Sequence, residues 1–403
     1  TWEDTVAVTM RTVVFFLFSA ASCYCAIQFS DRPRNFSIEL VHYTQLETNG
    51  HVVISPFGIW TLMSGIALGA TGNSFDELAR AFLLPRDSRE IINGFKDLTS
   101  AVLNVKSKGV TLTSKNFVFL DDNFRVFPDF KRALEVDFGA EIDVDFKNPK
   151  TVEIANGKLE LPGANVRNVL HSDDFAQSRM ILANIIAFRG LWSFPFDKTK
   201  TQEETFYDED GNPVGRVNMM YLNSVVPLSN IREMQSLALE MPYGDDGKYS
   251  MLFLLPSRGM KIVDAYKKLA QISLRDIFDQ LRRDSDYYEG QETEVKIPRF
   301  KIRTNILMNK PLTHMGVFDI FEADRARFDR IANEDIFISA IAHTADIEVT
   351  ESGTVATATS TASFVDKISS HGFIANKPFI YFLMEKSTMT MIFGGIYSKP
   401  TIY

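Results

Sequence analysis

Apolar positions recur along this chain in two rhythms. At helical spacing lie Phe36–Leu46 and Val263–Leu281, and a short helix is expected over Asp129–Leu134 behind Pro128. Ser55-Pro56 opens a further helix with proline in its first turn. Its continuation, Ile59–Ala70, is apolar nearly all round, which predicts a buried helix. Gly69-Ala70-Thr71-Gly72-Asn73 breaks it, and Ser74 with Glu77 predicts a capping box for the next helix. Lys150–Arg167 holds Gly157, Pro162 and Gly163, so its helical pattern is weak.

Strand-like runs are His51–Ile54, Phe117–Phe119, Val217–Met220, Phe337–Ile347 and Met389–Ile396. Leu237–Pro242 and Tyr249–Leu255 form a strand pair around the turn cluster Gly244-Asp245-Asp246-Gly247. Met180–Phe188 is an almost unbroken apolar run, suited to a strand buried on both faces. Glu203–Arg216 is polar and reads as turn-rich.

One stretch departs from both rhythms. Glu351–Lys367 reads Glu-Ser-Gly-Thr-Val-Ala-Thr-Ala-Thr-Ser-Thr-Ala-Ser-Phe-Val-Asp-Lys, with no charge or proline from Gly353 to Val365. Taken two by two, Thr354, Ala356, Ala358, Ser360, Ala362 and Phe364 share one face, small in all but the last. Val355, Thr357, Thr359, Thr361, Ser363 and Val365 share the other, and most are β-branched. A polar, charge-free strand left in solvent invites aggregation. Such a strand therefore belongs in a sheet or is held out of one for a purpose.

This stretch resembles the reactive-centre loop of the serpins. Glu351-Ser352-Gly353-Thr354 matches the proximal hinge, and the small residues from Ala356 to Thr359 match the part that enters the central sheet. Phe373-Ile374-Ala375-Asn376-Lys377-Pro378-Phe379 resembles the family's C-terminal signature, and Ile54-Ser55-Pro56-Phe57 through Ala70 its N-terminal core. The resemblance implies a reactive bond fourteen residues beyond Gly353, at Lys367-Ile368. It implies hinge roles for Glu351, Gly353, Thr354, Ala356 and Ala358. Ser55, Asn184 and His343 match the shutter where the sheet parts, and Trp192 the breach at its top. Glu351 is expected to be held by Arg299. Two departures fall where the family places its shutter: His51 stands for the usual Asn and Gly58 for the usual Ser. Lys150–Arg167 is where the resemblance is poorest.

The implied fold is mixed α/β: a large central sheet A, sheets B and C, about nine helices and an exposed loop over about 351–372. Residues 27–403 would form one serpin domain, since no linker, low-complexity tract or repeat divides them. Residues 1–26 read as an N-terminal extension with a secretory signal. Arg11 is its charged end, Val13–Phe18 its apolar run and Ser19–Ala26 its cleavage region. That run is too short to span a bilayer. Both cysteines, Cys23 and Cys25, fall inside the N-terminal segment 1–26, so a mature chain would carry no disulfide. Asn35-Phe36-Ser37 is a glycosylation sequon.

Composition narrows the chemistry further. The net charge of -8 argues against nucleic acid. None of the six histidines forms a zincin pair, and no nucleophile elbow or phosphate-binding loop is present. No enzyme activity, metal or cofactor is expected. Lys96, Lys106, Lys108 and Lys115 occupy the family's usual glycosaminoglycan-binding area, but they read better as a solvated face. No membrane partner is implied, and a monomer is expected.

The implied function is secreted suicide inhibition of a trypsin-like serine protease, with cleavage after Lys367 followed by insertion of the loop. The short C-terminus and absent disulfides resemble arthropod haemolymph serpins, which implies clip-domain proteases of melanisation and innate immunity. The alternatives are a non-inhibitory member, such as a carrier, chaperone or storage protein, and a cysteine-protease inhibitor of the same fold.

Overall fold

The computed structural model describes residues 36–48, 50–138, 140–159, 170–176, 178, 180–354 and 372–403. Three sheets organise them. The central sheet has the order Phe300–Leu307, Ile341–Thr350, Gly353–Thr354, Met180–Leu191, Val110–Asp121, Ala140–Val144. A second six-stranded sheet runs Val52–Ile54, Thr390–Tyr397, Phe379–Glu385, Tyr249–Pro256, Ser236–Tyr243, Leu228–Ile231. The third has four strands: Gly372–Ile374, Thr293–Pro298, Pro213–Ser224 and Gln202–Tyr207.

Aromatic rings join the central and second sheets. Phe300 of the first lies 5.4 Å from Tyr381 and 5.1 Å from Tyr397 of the second, and Phe379 stacks on Tyr397 at 5.2 Å. Large rings buried on both sides supply much of the apolar burial that holds two sheets together. Helix Pro56–Ala67 is buried along its whole length, as its all-round apolar pattern demands. A buried helix end needs an acceptor for its free N–H groups. The Ser55 hydroxyl serves here, accepting from the Gly58 amide at 3.1 Å. On the opposite face of the central sheet, the short helix Thr151–Lys158 brings Ala155 into a smaller apolar cluster with Leu159, Phe117, Ile181, Ile185 and Ala342.

Several expectations are corrected. Ser74 and Glu77 form no capping box. Helix Gly72–Ala81 is led by Thr71, while Ser74 Oγ accepts from the Arg327 amide and Glu77 from the amides of Phe318 and Asp319. Distant donors have taken both side chains. Glu203–Arg216 is mostly strand. Gln202–Tyr207 lies at a sheet edge with only Phe206 buried, so its polar composition reflects exposure. The turn is confined to Asp208–Asn212, where the Asp208 carboxylate accepts from the amides of Asp210 and Asn212. Val263–Leu281 is two helices, Ile262–Leu269 and Leu274–Tyr287, because Ser273 caps the second. The strand expected from Phe337 starts at Ile341, since the Ile338 amide bonds Ile320 instead. No helix among the described residues is long and apolar enough to cross a membrane.

Candidate functional site

Among the described residues the central sheet is incomplete. Ile341–Thr350 and Met180–Leu191 run parallel and pair only from Ile341 with Leu182 to Thr344 with Ile185. Above this, Ala345–Glu348 pairs outward with Thr304–Lys301, and Ile186–Arg189 outward with Ser114–Thr111. Among the described residues no ladder joins these two inner edges. The top of the gap is closed by Gly353 and Thr354. They pair antiparallel with Thr350 and Val349 on one side, and with Leu191 and Gly190 on the other.

Gly353 and Thr354, the expected hinge, are therefore seated as a two-residue strand. Gly353 has φ of 135°, and a Cβ there would lie 2.1 Å from the Gly190 carbonyl oxygen, so only glycine fits. The Thr354 side chain points into the core and shares a hydrogen bond with the Tyr243 hydroxyl at 2.8 Å. Burial pushes the Tyr243 hydroxyl well up, so it stays protonated. Its ring stacks on Trp192 at 4.2 Å. Trp192 holds the same segment from outside: its indole N–H donates to Thr350 at 2.9 Å and its amide to Ser352 at 3.1 Å. Glu351, 4% exposed, accepts from Thr201 Oγ1 at 2.8 Å and from Arg299 Nη1 at 3.4 Å. A carboxylate this buried needs such partners. The expected Glu351–Arg299 contact is present. Tyr243, Gly190 and Thr201 were not singled out from sequence; a glycine inside a strand pattern was the available signal for a close backbone approach at Gly190.

At the foot of the gap lies a buried polar cluster. His343 and Asn184 are register partners across the short parallel ladder. The Ser55 amide donates to His343 Nε2 at 2.9 Å, which fixes the neutral tautomer with the proton on Nδ1. Burial pushes the His343 pKa down to about 4. Asn184 Nδ2 donates to Asn116 Oδ1 at 2.7 Å, and Asn116 Nδ2 donates to the Phe138 carbonyl. Neither His343 Nδ1 nor Asn184 Oδ1 has a hydrogen-bond partner among the described residues. The missing hydroxyl at Gly58 now has a reason: a Cβ there would sit 2.0 Å from Asn184 Oδ1. The amide occupies the space a serine would need. His51 stands apart from this cluster, accepting on Nδ1 from the amides of Ser398 and Lys399.

Ser55, Asn184, His343, Trp192, Glu351, Gly353 and Thr354 thus fall at the two ends of one gap. Ala356, Ala358, Lys367, Ile368, Asn35 and the signal segment lie outside the described residues. Of the basic residues weighed for glycosaminoglycan, Lys96 lies 2.5 Å from Asp137 and Lys108 3.8 Å from Asp245.

The family model described as Serpin (serine protease inhibitor) matches residues 31–400. Leukocyte elastase inhibitor A of Rattus norvegicus is 28% identical over 392 residues, which cover 93% of this chain and 100% of that protein. Intracellular coagulation inhibitor 1 of Tachypleus tridentatus is 28% identical, covering 93% of this chain and 90% of its own. A solved structure described as cleaved Serpin 42Da has a TM-score of 0.79 at 26% identity, covering 93% of this chain and 98% of that one.

Two outcomes are expected. Gly58→Ser should drive Asn184 from its place and break its bond to Asn116, lowering stability by about 1–3 kcal/mol in urea unfolding; an equally stable variant would contradict the packing. The depressed pKa of His343 makes the unfolded state bind more protons between pH 6.5 and about 4. Stability is then full above pH 6.5 and declines as pH falls through that window. His51, also near 4, adds to the same decline. A His343→Asn variant should show a shallower pH dependence, and an unchanged slope would exclude the assignment.

Proposed function

The chain belongs to the serpin family, and on that premise we propose that it is a secreted suicide inhibitor of a trypsin-like serine protease. The family description is serine protease inhibitor, so the chain is not an enzyme. The observation that carries the proposal is that Gly353 and Thr354 sit at the mouth of a gap that no described residue fills. The antiparallel register of Gly353 and Thr354 can be continued downward residue by residue. Ala356 then comes between Ile347 and Phe188, and Ala358 between Ala345 and Ile186. These four neighbours are largely buried, alternating with more exposed Asp346, Glu348, Ala187 and Arg189. Continuation therefore turns the small face of the loop inward and the β-branched face outward. Small inward side chains enter a packed sheet without forcing the core apart.

The same register brings Ser360 between His343 and Asn184. Its hydroxyl can accept from His343 Nδ1 and donate to Asn184 Oδ1, the two buried atoms that lack partners. Filling the sheet so far requires the ladder from Ile341 to Thr344 to separate from Leu182–Ile185. Each new ladder bond contributes about 0.5–1.5 kcal/mol net. About a dozen residues bonded on both sides make about two dozen such bonds, which even at the lower bound amount to roughly ten kcal/mol, comparable with the stability of a whole domain. The intact protein persists above this lower state because a barrier separates them.

In the reaction, the protease serine attacks the Lys367 carbonyl, the bond to Ile368 breaks and the Ile368 amine leaves. Lys367 is joined to the serine as an ester. The cationic Lys367 side chain suits an acidic specificity pocket. Freed from its far end, the loop enters the gap and carries the protease with it before water cleaves the ester. Secretion is inferred from Met10–Ala26. A clip-domain protease is the target class implied by the arthropod resemblance. No glycosaminoglycan partner is proposed, because carboxylates already pair Lys96 and Lys108.

Mixing the protein with trypsin and running a denaturing gel tests the reading. An SDS-stable band at the summed mass is expected, and Lys367→Ala should abolish it. Ala356→Arg should bury an unpaired charge on entry and convert the inhibitor into a substrate. Clean cleavage of the parent protein without that band, or undiminished trapping by Ala356→Arg, would overturn the mechanism.

A further inference from the structure

Above the hinge, Arg299 has two tasks. Its Nη1 faces Glu351 at 3.4 Å, while its Nε donates to the backbone carbonyl of Tyr403 at 2.5 Å. A guanidinium is a rigid planar fork, so a bond at Nε fixes where Nη1 points. The Tyr403 carbonyl is itself held, accepting from Asn218 Nδ2 at 2.9 Å. The Tyr403 ring lies 5.9 Å from the Arg299 guanidinium and 5.7 Å from Lys301 Nζ, within cation–π range of both. Its hydroxyl donates to Glu348, whose other oxygen pairs with Lys301 at 2.9 Å. Glu348 stands three residues before Glu351 on the chain that leads into the hinge.

We propose that Tyr403 is a positioning residue for the hinge: anchored by its bond to Glu348, its ring fixes the Arg299 fork, and the fork holds Glu351 and with it the Ser352–Thr354 segment in the top of the sheet. This assigns a part in loop release to a residue far from the loop in sequence. It deepens the inhibitory reading and depends on it for its functional meaning. Tyr403 acts through Arg299 and Glu351, so its effect should vanish when Glu351 can no longer be held.

Two amides report on this seat. The Phe196 amide donates to the Glu351 carbonyl at 2.8 Å and the Trp192 amide to Ser352 at 3.1 Å. Their hydrogen exchange is measured in the full chain and in Tyr403→Ala, Tyr403→Phe, Glu351→Gln and the Tyr403→Ala/Glu351→Gln double variant. Tyr403→Ala should speed exchange at both amides by at least about threefold, and the double variant should be no faster than Glu351→Gln alone. Tyr403→Phe, which keeps the ring but loses the Glu348 bond, should fall between. Amides in Phe379–Glu385 serve as the control and should not change. Unchanged exchange at Trp192 and Phe196 in Tyr403→Ala, an effect that simply adds to Glu351→Gln, or equal acceleration in the control strand would overturn the proposal. The readout does not involve a protease. Failure to form a covalent complex with trypsin would count against the inhibitory reading and leave the clamp to be judged by exchange.

Discussion

One set of hydrogen bonds is not made among the described residues, and the proposed mechanism turns on it. Strands Ile341–Thr350 and Met180–Leu191 are neighbours at their lower ends only, and between Ala345–Glu348 and Ile186–Arg189 no described residue fills the ladder. Interior strands of a packed sheet normally satisfy both edges. On the proposed mechanism, the same chain has a lower-energy arrangement in which its loop fills this ladder.

The two ends of the gap restrain it by different chemistry. At the top, the hinge is held by a close glycine approach, the Tyr243–Thr354 bond and a buried carboxylate with a cationic partner. These contacts keep the first two residues of the loop in register. At the foot, a neutral histidine and two amides hold helix Pro56–Ala67 under the short parallel ladder. His343 Nδ1 and Asn184 Oδ1 have no hydrogen-bond partner among the described residues. On the proposed mechanism, the top of the gap seats the loop's start, and the foot parts and offers these atoms a partner as the loop goes further.

Much of this was legible where the signal is local. The buried helix followed from an apolar run led by Ser55-Pro56, and the central strand from Met180–Phe188. The slim face after Gly353 was visible because strand period alone sorts those side chains, whereas the hinge role of Gly353 was implied by the family resemblance. What escaped reading depends on pairs distant in sequence. Tyr243 meets Thr354 across 111 residues, and nothing near either residue signals the other. Ser74 and Glu77 had a capping pattern, yet donors near Phe318 and Arg327 claimed them. Gly58 looked like a lost hydroxyl until the Asn184 amide was found in its place. Gln202–Tyr207 was misread because an exposed edge strand carries the polar residues of a loop.

The most direct test of the unfinished sheet is the melting temperature of the protein before and after a nick in its loop. A protease that does not become trapped is used to cut once between Val355 and Asp366, and both forms are heated in parallel. If the freed strand completes the sheet, the nicked form should melt about 10–30 °C higher, as expected for a gain of roughly ten kcal/mol or more in a chain of this size. A nicked form that melts at the same temperature as the intact one, or lower, would mean the gap is not a site the loop fills.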